Sequence, residues 1–224
     1  MLKNGVYGIL ILVAAACMSD DGSQYMATPA ELDIPPFFES SILPPEIPRD
    51  NPLTVEGIAL GKALFYDPIL SANNTQSCAS CHLQSGSFTD PNQFSVGIDG
   101  SIGFRNSMPL FNLAWNRRGP FNWDGSAATL EDQIFEPVTN PIEMANTWPN
   151  AVAALQNSGT YPELFDAAFG STAIDSVKVS RAIAQFIRTM ISGNSKFDRY
   201  LNGQEDLTDA EERGMNVFLD ETRG

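Results

Sequence analysis

The run Cys78-Ala79-Ser80-Cys81-His82 limits what this chain can become more than any other feature. C-x-x-C-H is the attachment signature of c-type haem. Two thiols spaced this way fall on one turn of helix and can add to the haem vinyl groups as thioethers, and the adjacent imidazole is then placed as axial ligand to the iron. His82 is also the only histidine in the chain. The competing reading is zinc, which takes four ligands, usually from two such pairs or a matched Cys/His set. Here the one further cysteine is Cys17 and there is no second histidine, so the spacing favours haem over a metal or disulfide staple.

Residues 1–17 read as an export signal. Lys3 supplies the positive start, Tyr7 to Ala16 is an apolar run short for a membrane span, and Val13-Ala14-Ala15-Ala16-Cys17 resembles a bacterial lipoprotein box. Cleavage before Cys17 would leave that thiol carrying lipid, on the periplasmic side of a bacterial membrane. An ordinary secretory signal with an incidental Cys17 is the alternative. Either one exports the chain, as covalent haem attachment on the oxidising side of a membrane requires. Residues 18–52 form a tether that becomes proline-rich from Pro29 onward. No helix or strand period survives there, and an extended arm partly packed through Ile34, Phe37 and Phe38 is expected.

The charge is strongly acidic, with 13 basic against 27 acidic residues and a net of −14. This argues against nucleic acid as a partner. An acidic surface can steer a basic electron carrier such as a small cytochrome, or it can simply confer solubility.

The body is mainly α with long loops. Thr54 is placed to cap a helix running through Val55, Leu64 and Phe65 and stopping at Asp67-Pro68. Asn74 or Thr75 is expected to cap the turn that carries the haem box. Glycines and prolines then punctuate a long loop to Gly103. Helices are predicted over 129–135, 150–156, 162–169 and 177–191. The last carries an apolar stripe of Val179, Ala182, Ile183, Phe186, Ile187 and Met190, with Arg181, Gln185 and Arg188 elsewhere. Thr208-x-x-Glu211 is a capping box for a final helix. In that helix Gly214-Met215-Asn216-Val217-Phe218 repeats the pattern of Gly61-Lys62-Ala63-Leu64-Phe65, which leads into the haem box. The repeat suggests that residues 204–224 begin a second, truncated cytochrome c-like domain after a first one over 53–203.

Several short runs in this order resemble the N-terminal half of bacterial di-haem cytochrome c peroxidases, a family that includes the di-haem oxidases of methylamine utilisation. They are Leu60-Gly61-Lys62-Ala63-Leu64-Phe65, the haem box, Arg105-Asn106-Ser107, Trp123-Asp124-Gly125, Leu130-Glu131-Asp132-Gln133 and Ile142-Glu143-Met144. The resemblance implies reduction of hydrogen peroxide to water with electrons from a small cytochrome c or cupredoxin. It also implies a second haem c beyond Gly224 and, in the full-length form, a homodimer. It assigns Glu143 as the distal glutamate, Gln133 as a hydrogen-bond donor to the bound oxygen species, Trp123 as an electron bridge between haems, and Asn106 as a calcium ligand. Taken alone, Trp123 reads as core and Glu143 as a surface or capping carboxylate. Met144 and Met108 are candidate sixth ligands, and family position makes Met144 a neighbour of Glu143 instead.

Chemistry points the same way. Peroxide cleavage needs an open iron position and a group that carries a proton from the near to the far oxygen. With His82 below the iron, a carboxylate must serve the other face. Two departures from the family pattern stand out. Ile98 falls where many members carry an iron-capping histidine, so a five-coordinate or water-bound resting iron is expected. Ser126 follows Trp-Asp-Gly where arginine is usual, which removes a candidate partner for a haem propionate. Two other readings stay open: an electron-transfer cytochrome c without catalysis, and a di-haem oxidase acting on an organic or protein substrate.

Overall fold

The computed structural model describes residues 25–117 and 119–222; the stretch expected to be an export signal, with Cys17, lies outside the described residues. The first helix, α1 (Pro36–Ser41), lies in the arm that was expected to be extended throughout. Pro36 opens it, where a missing N–H costs nothing and the fixed φ already suits a helix. Packing then holds it: the Phe38 ring meets Trp115 edge to face at 5.4 Å, and the Trp115 indole N–H donates to the Leu43 carbonyl at 2.9 Å. Such tertiary contacts leave no period in the sequence.

Helix α2 (Val55–Tyr66) starts where the sequence places it, with the Thr54 hydroxyl accepting the Gly57 amide at 3.0 Å. Asp67 before Pro68 ends it. The haem-box turn, α3 (Cys78–Cys81), is capped by Ser77 and not by Asn74 or Thr75. Ser77 and Ser80 form a reciprocal capping box, whereas Asn74 sits in a left-handed turn and the Thr75 hydroxyl is spent on Asn73. Helix α4 (Leu130–Thr139) outruns its predicted end at Phe135 by passing through Pro137. Helices α5 (Trp148–Gln156) and α6 (Tyr161–Phe169) each begin with a proline in the first turn.

Helix α7 (Ser176–Arg188) is the axis of the fold, and α2 and α4 both pack on it. The predicted apolar stripe is buried, but so are Gln185 and Arg188, which the sequence pattern leaves outside it. Both are admitted to the interior because they are partnered. The Gln185 amide bridges Thr54 and Asn51, and Arg188 pairs with Glu131. The helix stops at Arg188, short of the expected Ile191. Gly61 makes the α2–α7 approach possible, since any Cβ there would collide with the Ala182 carbonyl.

Helix α8 (Lys196–Leu201) was not anticipated, although Ser195 and Asp198 form a capping box. Helix α9 (Asp209–Leu219) is capped by Thr208 and Glu211 as expected. Its Val217, Phe218 and Leu219 are exposed. Among the described residues pairing is limited to isolated β-bridges, so the fold is mainly α with long loops.

Candidate functional site

A cavity of about 470 Å³ lies between α3, the loop that follows it, α4 and α7. Its floor is apolar, built from Phe65, Ile183 and Ile187. The polar groups singled out from the sequence converge on it. Cys78, Cys81, His82, Trp123, Gln133 and Glu143 all line it, and so does Asn106.

Cys78 and Cys81 are free thiols. Burial pushes the Cys78 thiol up to about 12 and raises that of Cys81 as well. Both are therefore thiols rather than thiolates. No group of three or more His, Cys, Asp or Glu side chains capable of holding a metal occurs among the described residues. Gln76, two residues before the box, donates from Nε2 to the Val96 carbonyl at 2.9 Å and to Cys81 Sγ at 3.2 Å, while its Oε1 is buried without a partner.

His82 caps the C-terminal end of α3. Its Nδ1 lies 3.0 Å from the Phe88 carbonyl, which can only accept, so Nδ1 carries the proton. Burial draws the imidazole pKa down, outweighing the Phe88 and Met108 carbonyls that act to raise it. The ring is thereby kept neutral, with the Nε2 lone pair left for a metal. Ser87 and Phe88, which bring that carbonyl into place, both have left-handed backbones, with φ of 61° and 56°. Such conformations cost about 1–3 kcal/mol each and persist where the surroundings enforce them.

Gln133, Glu136, Pro137 and Asn140 follow the i, i+3, i+4, i+7 spacing of one helical face, and α4 turns that face to the cavity. The chain then bends back through Asn140, whose Oδ1 accepts the Ile142 amide at 3.0 Å and whose Nδ2 donates to Glu143 Oε1 at 2.7 Å. Burial raises the Glu143 pKa and the Glu136 charge adds to this; the Asn140 hydrogen bond works against both but does not cancel them.

Trp123 is not core: it is 61% exposed at the edge of the cavity, with its indole N–H donating to the Asn106 carbonyl at 2.8 Å. The Asn106 side chain is engaged in its own loop. Its Nδ2 donates to the Asp90 and Asn92 carbonyls at 3.0 and 2.7 Å, and its Oδ1 accepts from Thr89 at 2.9 Å. Met108 and Met144 also line the cavity, Met144 from within the core. Ile98 is not among the lining residues; its amide donates to the Glu143 carbonyl at 3.0 Å. Ser126 accepts from Asn122 Nδ2 at 2.9 Å.

Sequence reasoning missed Gln76, Asn140 and Thr89. Asn140-Pro141 carried a turn signal, whereas a lone Gln or Thr carries none. The donor set fits a covalently held haem: two thiols on one helical turn, an adjacent imidazole whose Nδ1 is held by a carbonyl, and a shared cavity with an apolar floor.

A family model described as di-haem cytochrome c peroxidase matches residues 55–206. Methylamine utilization protein MauG of Methylorubrum extorquens is 41% identical over 179 residues, covering 76% of this chain and 48% of the relative. Cytochrome c peroxidase Ccp of Escherichia coli is 37% identical over 180 residues, covering 78% and 37% respectively. The crystal structure of a MauG-like protein associated with microbial copper homeostasis superposes with a TM-score of 0.76 at 36% identity, covering 86% of this chain and 55% of that one. The chain thus spans between about a third and a little over half of the length of these relatives.

Proposed function

Because the chain belongs to the di-haem cytochrome c peroxidase family, we propose that its cavity is a haem site that reduces hydrogen peroxide to water. Cys78 and Cys81 would hold the haem c covalently, and His82 Nε2 would ligate its iron. The observation that carries this reading is the placement of Glu143, a carboxyl with a raised pKa, on the same cavity as the Cys-Cys-His set. The bound haem supplies the redox-active iron at which peroxide is reduced with two electrons.

The chain's own residues supply the rest. Glu143 would accept a proton from one peroxide oxygen and return it to the other, which leaves as water when the O–O bond breaks; the two electrons and two protons from solvent convert the remaining oxygen to a second water. The raised pKa of Glu143 brings loss and return of its proton closer in energy. Gln133 presents an amide from α4 that can orient the oxygen species. Asn140 holds Glu143 in place. Trp123, at the exposed edge, would pass electrons to the site from the second haem. The donor is a small cytochrome c or cupredoxin, and the acidic surface favours a basic one. The exposed Val217, Phe218 and Leu219 of α9 support reading that helix as the opening of a second haem domain. We place the protein on the periplasmic side of a bacterial membrane, anchored through Cys17.

Met108 on the cavity wall favours a second reading, in which a methionine fills the sixth position and the protein only transfers electrons. One experiment separates the two. The haem-loaded protein is mixed with peroxide in a stopped-flow spectrometer. The peroxidase reading expects a haem absorption change whose rate rises with peroxide concentration and falls steeply in Glu143→Gln. A haem that does not respond to peroxide overturns it. Oxidation of an organic or protein substrate at peroxide's expense, without turnover of a small redox protein, would mark an oxidase instead.

A further inference from the structure

We propose that Thr89 is a positioning residue for the axial imidazole: its hydroxyl locks the Ser87–Phe88 turn onto Asn106–Ser107, and so keeps the Phe88 carbonyl on His82 Nδ1. This rests on His82 being the haem ligand.

After His82 the chain doubles back so that Leu83 and Thr89 pair as an isolated antiparallel bridge, with the Phe88 amide donating to the Leu83 carbonyl at 2.8 Å. Reversal in so few residues forces Ser87 and Phe88 into left-handed backbone. Neither is glycine, and phenylalanine is poorly suited to that region. The remaining backbone hydrogen bonds of the turn, Gly86 to Leu83, Ser87 to Gln84, Thr89 to Gly86 and Leu83 to Thr89, all lie within residues 83–89 and tie it to no distant segment.

Thr89 ties the turn to a distant segment. Its hydroxyl proton is shared between Asn106 Oδ1, at 2.9 Å, and the Ser107 carbonyl. Asn106 is a fixed target. Its Nδ2 faces two carbonyls, of Asp90 and Asn92, so the amide cannot be reversed and Oδ1 must face Thr89. The Asn106 carbonyl in turn receives the Trp123 indole N–H. The lock therefore holds the imidazole's acceptor and Trp123 against one short segment.

A hydrogen bond from the second ring nitrogen of a ligating histidine orients the ring and raises its basicity. Releasing the Phe88 carbonyl weakens electron donation to the metal. Reduction then becomes easier, and the bond from imidazole to iron weakens.

The test uses the haem-loaded protein and its variants Thr89→Val, which keeps the shape and deletes the donor, and Thr89→Ser, which restores it. Midpoint potential and the ferrous iron–histidine Raman band are read, with electron paramagnetic resonance reporting histidine ligation in the ferric protein. The expected result is a more positive potential and a lower band frequency in Thr89→Val, with both returned toward the parent in Thr89→Ser. Thr89→Ala carries the same expectation should Thr89→Val fail to accumulate. Parent protein without histidine ligation defeats the assignment of His82 itself. Histidine ligation in the parent, with a potential that Thr89→Val leaves unmoved or Thr89→Ser does not restore, defeats the lock alone.

Discussion

Both carboxylate oxygens of Glu131 are gripped by the Arg188 guanidinium, at 2.7 and 2.9 Å, where α4 packs on α7. Asn51 adds a third hydrogen bond to the carboxylate at 2.6 Å, and Gln185 donates to Asn51 at 2.9 Å. The group links the start of α4, which carries Gln133, to the end of the central helix. Burial acts to raise the Glu131 pKa, but the Arg188 hydrogen bonds and charge, together with Asn51, outweigh it and hold the carboxyl below its ordinary range.

Arg188→Met should therefore destabilise the protein by about 3 kcal/mol, because it strands a partly buried carboxylate. Arg188→Met combined with Glu131→Leu should recover part of that loss. Urea unfolding at neutral pH measures both. A depressed carboxyl pKa contributes stability that is present above the ordinary glutamate value of about 4.3 and is lost as pH falls through the lower folded value. The parent should thus lose stability below about pH 4.3, and the double variant should lose less over that window.

Gly61→Ala tests the closeness of α2 to α7. The new methyl would meet the Ala182 carbonyl, which is backbone within a packed helix and cannot swing aside. Overpacking of this kind costs about 1–3 kcal/mol, and the rigid neighbour argues for the upper end. Phe65 and Ile183 line the cavity floor on these two helices, so haem incorporation should fall as well. A thermal melt and the haem-to-protein absorbance ratio read the two effects. An unchanged melting temperature would mean that α7 yields locally.

Much of this was legible in the sequence because it is written in local chemistry. Thr54 and Thr208 each sit where a cap is needed, and each begins its helix. The haem box, Gln133 and Glu143 could be placed in one site because their runs come in a family order. What stayed hidden depends on partners distant in sequence. Arg188 and Gln185 read as surface positions until Glu131 and Asn51 are brought to them. The Pro36–Ser41 helix has no period of its own and forms against Trp115. Trp123 reads as core by residue type, yet the fold leaves it at the edge of the cavity.

Replacing Cys78 and Cys81 together by serine should abolish covalent haem attachment, because a hydroxyl does not form the thioether. The apolar floor formed by Phe65, Ile183 and Ile187 would then have only a dissociable group, or none, to cover it. Haem staining of a denaturing gel should disappear in the double variant. Its melting temperature should fall, since a group bound only by the folded state stabilises that state. A stained band in the double variant would mean that attachment uses other residues.

The pH dependence of the peroxide reaction should report Glu143. The reading requires its carboxylate to accept the first proton, so the rate should fall as pH drops through the carboxyl's pKa. Burial and the Glu136 charge place that pKa above the ordinary glutamate value. Glu136→Gln removes the like charge and should move the acid limb of the profile to lower pH. Asn140→Ala removes the hydrogen bond that favours the charged form and should move it to higher pH. Glu143→Gln should abolish the limb and slow the reaction about 10²-fold or more, in line with the loss of a general acid–base group. Stopped-flow measurements of the haem-loaded protein between pH 4 and 8, roughly the span a raised glutamate can titrate, would show both shifts and the loss of the limb. Acid limbs that stay together in Glu136→Gln and Asn140→Ala would mean that a different group carries the proton.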